Sequence, residues 1–175
     1  MSSPPHRAKT STLRAAAWWA TTAAWIITIY GFSTDVYSDS LTELLLSEFL
    51  RMFNLQIAQP DFNVIHQLMR KSAHVTAYGL LALLLYGSMG GGGDFRWRGR
   101  RAAWCVLLAG GYSRLDELHQ WFVPSRTGSL ADSTLDTGGA FLAMAGVYIV
   151  GRIVQATGKE TVAGADDPGR ELHPS

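Results

Sequence analysis

Apolar residues in this chain come in blocks divided by short polar runs. The blocks cover about 15–32, 63–89, 102–123 and 133–154. Each is long enough to cross a hydrocarbon core of roughly 30 Å as a helix. Between the first and second lies a polar insert, 34–61, in which Ser40-Leu41-Thr42-Glu43 fits a capping box and predicts a helix start at Ser40. Beyond it Leu41, Leu44, Leu45, Phe49, Met52 and Phe53 share one face against Glu43, Ser47, Arg51 and Asn54. That segment is too short and too charged to cross, so it reads as a helix lying in the membrane interface and ended by Pro60. The pattern as a whole predicts an all-α polytopic membrane protein: four transmembrane helices plus one extracytoplasmic interfacial helix. Trp18, Trp19 and Tyr30 fall near the ends of the first span, where amphipathic rings prefer to sit.

Three spans carry polar stripes. In the second, Gln67, Lys71, His74 and Tyr78 recur at i, i+4, i+7 and i+11, which at 100° per residue places them on one narrow face. In the third, Ser113, Asp116, Glu117 and Gln120 share a side, with Trp121 and Phe122 offered to the interface. In the fourth, Asp132, Asp136, Gly139, Ala143 and Gly146 form a stripe of small or acidic residues, the kind that lets helix backbones approach closely, and this face is expected to be buried against other spans.

Net charge changes the picture little: 15 Lys+Arg against 14 Asp+Glu leave +1, which gives no reason to expect nucleic acid as a partner. The position of the charge says more. Arg7, Lys9 and Arg14 precede the first span, Arg96, Arg98, Arg100 and Arg101 divide the second from the third, and Arg152, Lys159 and Arg170 follow the fourth. The positive-inside rule assigns all three segments, and both termini, to the cytoplasm. The chain then divides into a basic cytoplasmic N-terminus (1–14), a transmembrane domain (15–154) and a hydrophilic cytoplasmic tail (155–175) expected to be disordered. The first span lacks a small-x-small cleavage site and is expected to stay attached as a signal anchor. The single cysteine, Cys105, lies inside an apolar run and reads as a packing residue.

This topology brings the start of span 2, the end of span 3, the loop with Pro124, Ser125 and Arg126, and the start of span 4 to one outer face. Ionisable groups at the edge of the hydrocarbon are costly unless paired or wetted, so their convergence marks a site. Lys71 and Arg126 are expected to offset Asp116, Glu117, Asp132 and Asp136. Two bases against four acids leave excess negative charge, met by a protonated acid, a bound cation or contact with water.

The order Lys71-x-x-His74-x-x-x-Tyr78, Asp116-Glu117-x-x-Gln120-x-x-x-Pro124-x-Arg126 and Asp132-x-x-x-Asp136-x-x-Gly139 resembles the VanZ-like family of small bacterial membrane proteins, with Phe32-Ser33 as a weaker match. The resemblance implies a multi-span bundle in the bacterial cytoplasmic membrane. Through the family's founding member it also implies a link to resistance to the glycopeptide teicoplanin.

The polar cluster is accordingly Lys71, His74, Tyr78, Asp116, Glu117, Gln120, Arg126, Asp132 and Asp136. His74 is either a neutral ring bonded to an acid of span 3 or a proton carrier, since its ordinary pKa lies near neutrality. Lys71 and Arg126 either anchor loops or recognise a phosphate or carboxylate, for which Arg is the better fork. Asp116 and Gln120 are spaced to share a ligand, Tyr78 closes the bottom of the cluster with a hydrogen bond, and His119 falls on the far side of its helix. Oxygen and nitrogen ligands for a metal are present, but no spacing sets a metal geometry, and no cofactor or metal is implied. Two functions follow. One is binding of an envelope ligand: a membrane lipid head group, a lipid-linked cell-wall precursor or a glycopeptide. The other is an intramembrane enzyme acting on such a lipid, with His74 and Asp116 or Glu117 as acid and base. A purely structural role for the cluster is the third reading.

Overall fold

The computed structural model describes residues 5–33, 39–90, 92–121 and 130–165. Among them are five helices and no strand: α1 Pro5–Ser33, α2 Asp39–Met52, α3 Gln59–Met89, α4 Gly99–Gln120 and α5 Leu130–Ala165. α1 opens on a proline, whose missing N–H is not needed in a first turn and whose φ suits the helix. α5 continues past Val154 to Ala165.

α2 does not run to Pro60, as the sequence pattern suggested. It closes on Asn54, which takes a left-handed φ of 51°. Asn54 N donates to the Arg51 carbonyl (3.1 Å) and Leu55 N to the Leu50 carbonyl (2.9 Å), the paired bonds that satisfy a helix's last carbonyls. Pro60 instead lies in the first turn of α3, where a proline costs no hydrogen bond. At its other end α3 stops in Gly90, Gly92 and Gly93. The last two adopt φ of 107° and 93°, and Gly93 N returns to the Gly87 carbonyl at 3.1 Å.

α3 is the central element, packed against α5, α4, α1 and, more lightly, α2. Its buried face carries Tyr78, Leu81, Ala82, Leu85 and Tyr86, which meet Cys105 and Ala109 of α4, Ala140 and Met144 of α5, and Ile29 of α1. Cys105 is fully buried, in keeping with a packing role. The closest approach is between α3 and α5, where Gly139 lies directly beneath the Val75 carbonyl and leaves no room for a Cβ. The small-residue stripe is only partly used for this. Gly139 and Ala143 face α3, but Gly146 is exposed with open space around it, because the stripe rotates away from α3 along α5. Trp18 also departs from expectation: it packs inward on Gly87 and edge-on to Phe95, at 5.7 Å between ring centroids, whereas Trp19 stays exposed.

The outer surface is apolar. Leu107, Leu115, Phe141, Leu142 and Ile149 are all more than half exposed. Among the described residues two helical stretches, Gln59–Met89 and Ala131–Thr157, are long and apolar enough to cross a membrane. α4 is interrupted by Arg114, Asp116 and Glu117, so its mean hydropathy is low although its outer face carries Leu107 and Leu115.

The helices run so that two distinct ends form. At one, Trp97 stacks edge-on with Tyr148, and Tyr86 holds the loop before α4, its hydroxyl donating to the Arg96 carbonyl (2.7 Å) and accepting from Arg98 N (2.8 Å). At the other, the last residue of α1, the first half of α3, the last turns of α4 and the first turns of α5 converge.

Candidate functional site

The convergent end is organised around two buried carboxylates. Asp116, on the inward face of α4, receives three donors on Oδ2: Ser33 Oγ at 2.6 Å, Tyr78 OH at 3.1 Å and Gln120 Nε2 at 3.2 Å. Three helices are thereby tied to one atom. The Gln120 bond is the i, i+4 pairing visible in the sequence, and Tyr78 does close the cluster with a hydrogen bond to Asp116. Gln120 Nε2 also lies 3.4 Å from Ser33 Oγ.

Asp136, on the first turns of α5, accepts from Ser113 Oγ at 2.8 Å, and His74 Nδ1 stands 3.8 Å from the same oxygen. That separation is too long for a hydrogen bond and is an ion-pair contact when the ring is protonated. The sequence pattern suggested a partner for His74 on span 3. The structure places it on α5, because α3 packs most closely against α5 at the Val75–Gly139 contact, next along the chain from His74. Lys71 lies on the rim, 3.4 Å from Asp132, with both side chains substantially exposed.

Of the expected pairing of Lys71 and Arg126 with the acids, the described residues show Lys71 with Asp132. Asp116 is met by the hydroxyl and amide donors of Ser33, Tyr78 and Gln120. Glu117 is buried on the same helix face as Asp116. Arg126, with Pro124, Ser125 and Phe122, lies outside the described residues. His119 sits apart from the cluster, its ring edge-on to Tyr30 (5.3 Å between centroids) with Nε2 3.4 Å from the Tyr30 hydroxyl. Among the described residues no three His, Cys, Asp or Glu side chains converge as a metal site would require.

Beside the carboxylates, between α1 and α3 and with Thr42 of α2 in its lining, is a cleft of about 260 Å³. Trp25, Ile29, Phe32 and Ala77 form much of its wall, while Arg70, His74, Ser33 and Tyr78 contribute its polar groups. Trp25 is held in place by its own Nε1, which donates to the Ala77 carbonyl at 3.0 Å. Thr42 is bonded to His66 Nε2 at 2.9 Å, so α2 is attached to α3 at the mouth of the cleft.

Along the chain Arg70 and Trp25 stand out only as a charge and as part of an apolar run. Arg70 had a signal: it precedes His74 by four residues and so shares its face. Trp25 had none, because its role depends on where α1 crosses α3.

A family model described as VanZ/LLP1 matches residues 18–151, from the first turns of the α1 apolar segment to Gly151 in α5. The matched span contains every described residue of the cluster and the cleft. Neither the curated proteins nor the solved structures yielded a match.

Proposed function

The chain belongs to the VanZ/LLP1 family, and on that premise we propose that it is a multi-pass protein of the bacterial cytoplasmic membrane whose polar end binds a cell-envelope ligand. In this reading α1, α3, α4 and α5 cross the bilayer with both termini in the cytoplasm, and α2 lies on the outer surface. The basic segments support the orientation: Arg96, Arg98, Arg100 and Arg101 stand at the end of the bundle opposite Asp116 and Asp136. α2 supports its own placement, with Leu44, Leu45, Phe49 and Met52 exposed along one side.

The observation that carries the binding reading is the cleft. An apolar wall with a few convergent polar groups is the ordinary form of a small-molecule site. The buried Asp116 network forms its back, fixing Ser33 and Tyr78 in position. A volume of about 260 Å³ is below the roughly 300–1,000 Å³ of sites that enclose drug-sized ligands. It is too small to enclose a whole glycopeptide and could hold only part of a lipid or lipid-linked precursor, so in this reading any link to teicoplanin resistance would run through the envelope lipid.

The test is a thermal melt of the purified protein in neutral detergent with and without total envelope lipid, and separately with teicoplanin. Envelope lipid is expected to raise Tm in the parent and not in Thr28→Trp, which fills the cleft from a partly exposed position on its wall. An equal rise in both proteins, or none in either, refutes the cleft as the binding site.

A further inference from the structure

The cleft has few polar atoms left to offer. The Ser33 and Tyr78 hydroxyls are donated to Asp116, Trp25 Nε1 to the Ala77 carbonyl, and Thr28 Oγ1 to the Ala24 carbonyl. What these side chains present to the space is mainly carbon: rings, methyls and the Cβ atoms of Ala73 and Ala77. A sugar or peptide placed there would lose its hydrogen bonds to water and regain almost none, a cost of about 1–3 kcal/mol for each buried polar group. A hydrocarbon chain would lose nothing.

The other nitrogen-bearing side chains of the lining belong to α3. His74 has Nδ1 toward Asp136, which leaves Nε2 for a ligand. Arg70, one helical turn earlier and also lining the cleft, carries a guanidinium with five N–H donors, enough to serve a further acceptor beyond those it already meets. Both are suited to an anion, and a guanidinium binds phosphate oxygens in pairs. The carboxylates of Asp116, Glu117 and Asp136 are not part of the cleft's lining, and Ser33, Tyr78 and His74 stand between the space and Asp116 and Asp136.

Resting on the binding reading above, we infer that the ligand class is an alkyl phosphate: one hydrocarbon chain lying along Trp25, Ile29 and Phe32, with its phosphate at Arg70 and His74. Phe32 is half exposed, so the cleft is open along this side to a chain entering from outside the bundle. A glycerophospholipid and an isoprenoid phosphate both carry this chemistry.

The experiment titrates the protein in digitonin micelles, which carry neither phosphate nor a free alkyl chain, with four probes: dodecyl phosphate, farnesyl phosphate, dodecanol and glycerol phosphate. The alkyl phosphates are expected to bind, and dodecanol and glycerol phosphate to bind at least tenfold more weakly. Thr28→Trp should abolish binding by blocking the chain. Arg70→Gln and His74→Gln should each weaken the alkyl phosphates about tenfold or more, the worth of a charge-assisted hydrogen bond, and leave dodecanol unchanged. Tighter binding of farnesyl phosphate assigns the isoprenoid source, and tighter binding of dodecyl phosphate the phospholipid. The inference is overturned if Thr28→Trp binds like the parent, if dodecanol matches dodecyl phosphate, or if both α3 variants bind unchanged. Stabilisation by envelope lipid without binding of any alkyl phosphate overturns the ligand class alone. Absence of both overturns the binding reading as well.

Discussion

Replacing Gly139 by alanine tests the contact on which the polar end depends. An added Cβ would overlap the Val75 carbonyl oxygen and lie 3.0 Å from both the Val75 carbonyl carbon and Cγ1. The obstacle is α3 backbone, which cannot rotate aside as a side chain can. Restoring an ordinary C···O contact of about 3.3–3.6 Å requires α3 and α5 to part by roughly 1 Å, a gap that forfeits a quarter to a half of the dispersion energy of the atoms involved. Overpacking of this kind costs about 1–3 kcal/mol, and the better helix propensity of alanine returns about 0.5–1 kcal/mol. The net loss is roughly 0.5–2 kcal/mol, a fall in Tm of about 1–8 °C for a chain of this size. Gly138 is the internal control. It is the neighbouring residue of the same helix, and a Cβ added there would meet nothing within 4 Å, so Gly138→Ala keeps only the propensity gain and should melt slightly higher than the parent. Because propensity is common to both, the difference between the two melts isolates the packing contribution. His74 and Asp136 flank this crossing at 3.8 Å, so the same opening should also weaken ligand binding in Gly139→Ala. The reasoning is refuted if Gly139→Ala melts at or above Gly138→Ala.

Three further outcomes follow from the same geometry. Asp116→Ala strands the donors of Ser33, Tyr78 and Gln120 and should cost at least about 2 kcal/mol in a detergent melt, with Asp116→Asn milder because it keeps an acceptor oxygen. Lys71→Met removes an exposed pair to Asp132 and should change stability by less than about 1 kcal/mol; a larger loss would show that the rim pair holds α3 to α5. Asp94, in the loop before α4, has its carboxyl held below the usual range, chiefly by the Arg96 backbone N–H and then by the Arg101 side chain. A depressed carboxyl pKa contributes order above the ordinary aspartate range and loses it as pH falls through its own lowered value. Amide exchange in residues 94–101 should therefore quicken at acid pH in the parent beyond its intrinsic pH dependence, and Asp94→Asn should remove that excess.

Several features of the molecule were legible along the chain. The apolar blocks name the helices, since a run of that length has no other way to satisfy its backbone away from water. The polar stripes name the inward faces within the bundle, where Tyr78, Asp116, Glu117, Gln120 and Asp136 are buried, but not at the start of α3, where Gln67 and Lys71 are exposed. The Asp116–Gln120 bond was readable because an i, i+4 spacing brings two side chains together on any α-helix, whatever surrounds it. The end of α2 was misread because Pro60 is a strong signal and Asn54 a weak one. An asparagine closes a helix only when its backbone turns left-handed, which local composition permits without requiring.

What passes between helices was not legible. His74 meets Asp136 of α5 instead of an acid on α4, Ser33 reaches Asp116 across eighty-three positions, and Gly139 is packed while Gly146 is not. Each of these depends on the rotation and crossing of one helix against another. Which residues share a face follows from the chain alone, because 3.6 residues per turn is a property of the backbone hydrogen bonds. Which face meets which, and with it the cleft between α1 and α3, is set only in the assembled bundle. Those choices come from the sum of many small packing contacts around Gly79, Gly87 and Gly139, and no short stretch of chain contains that sum.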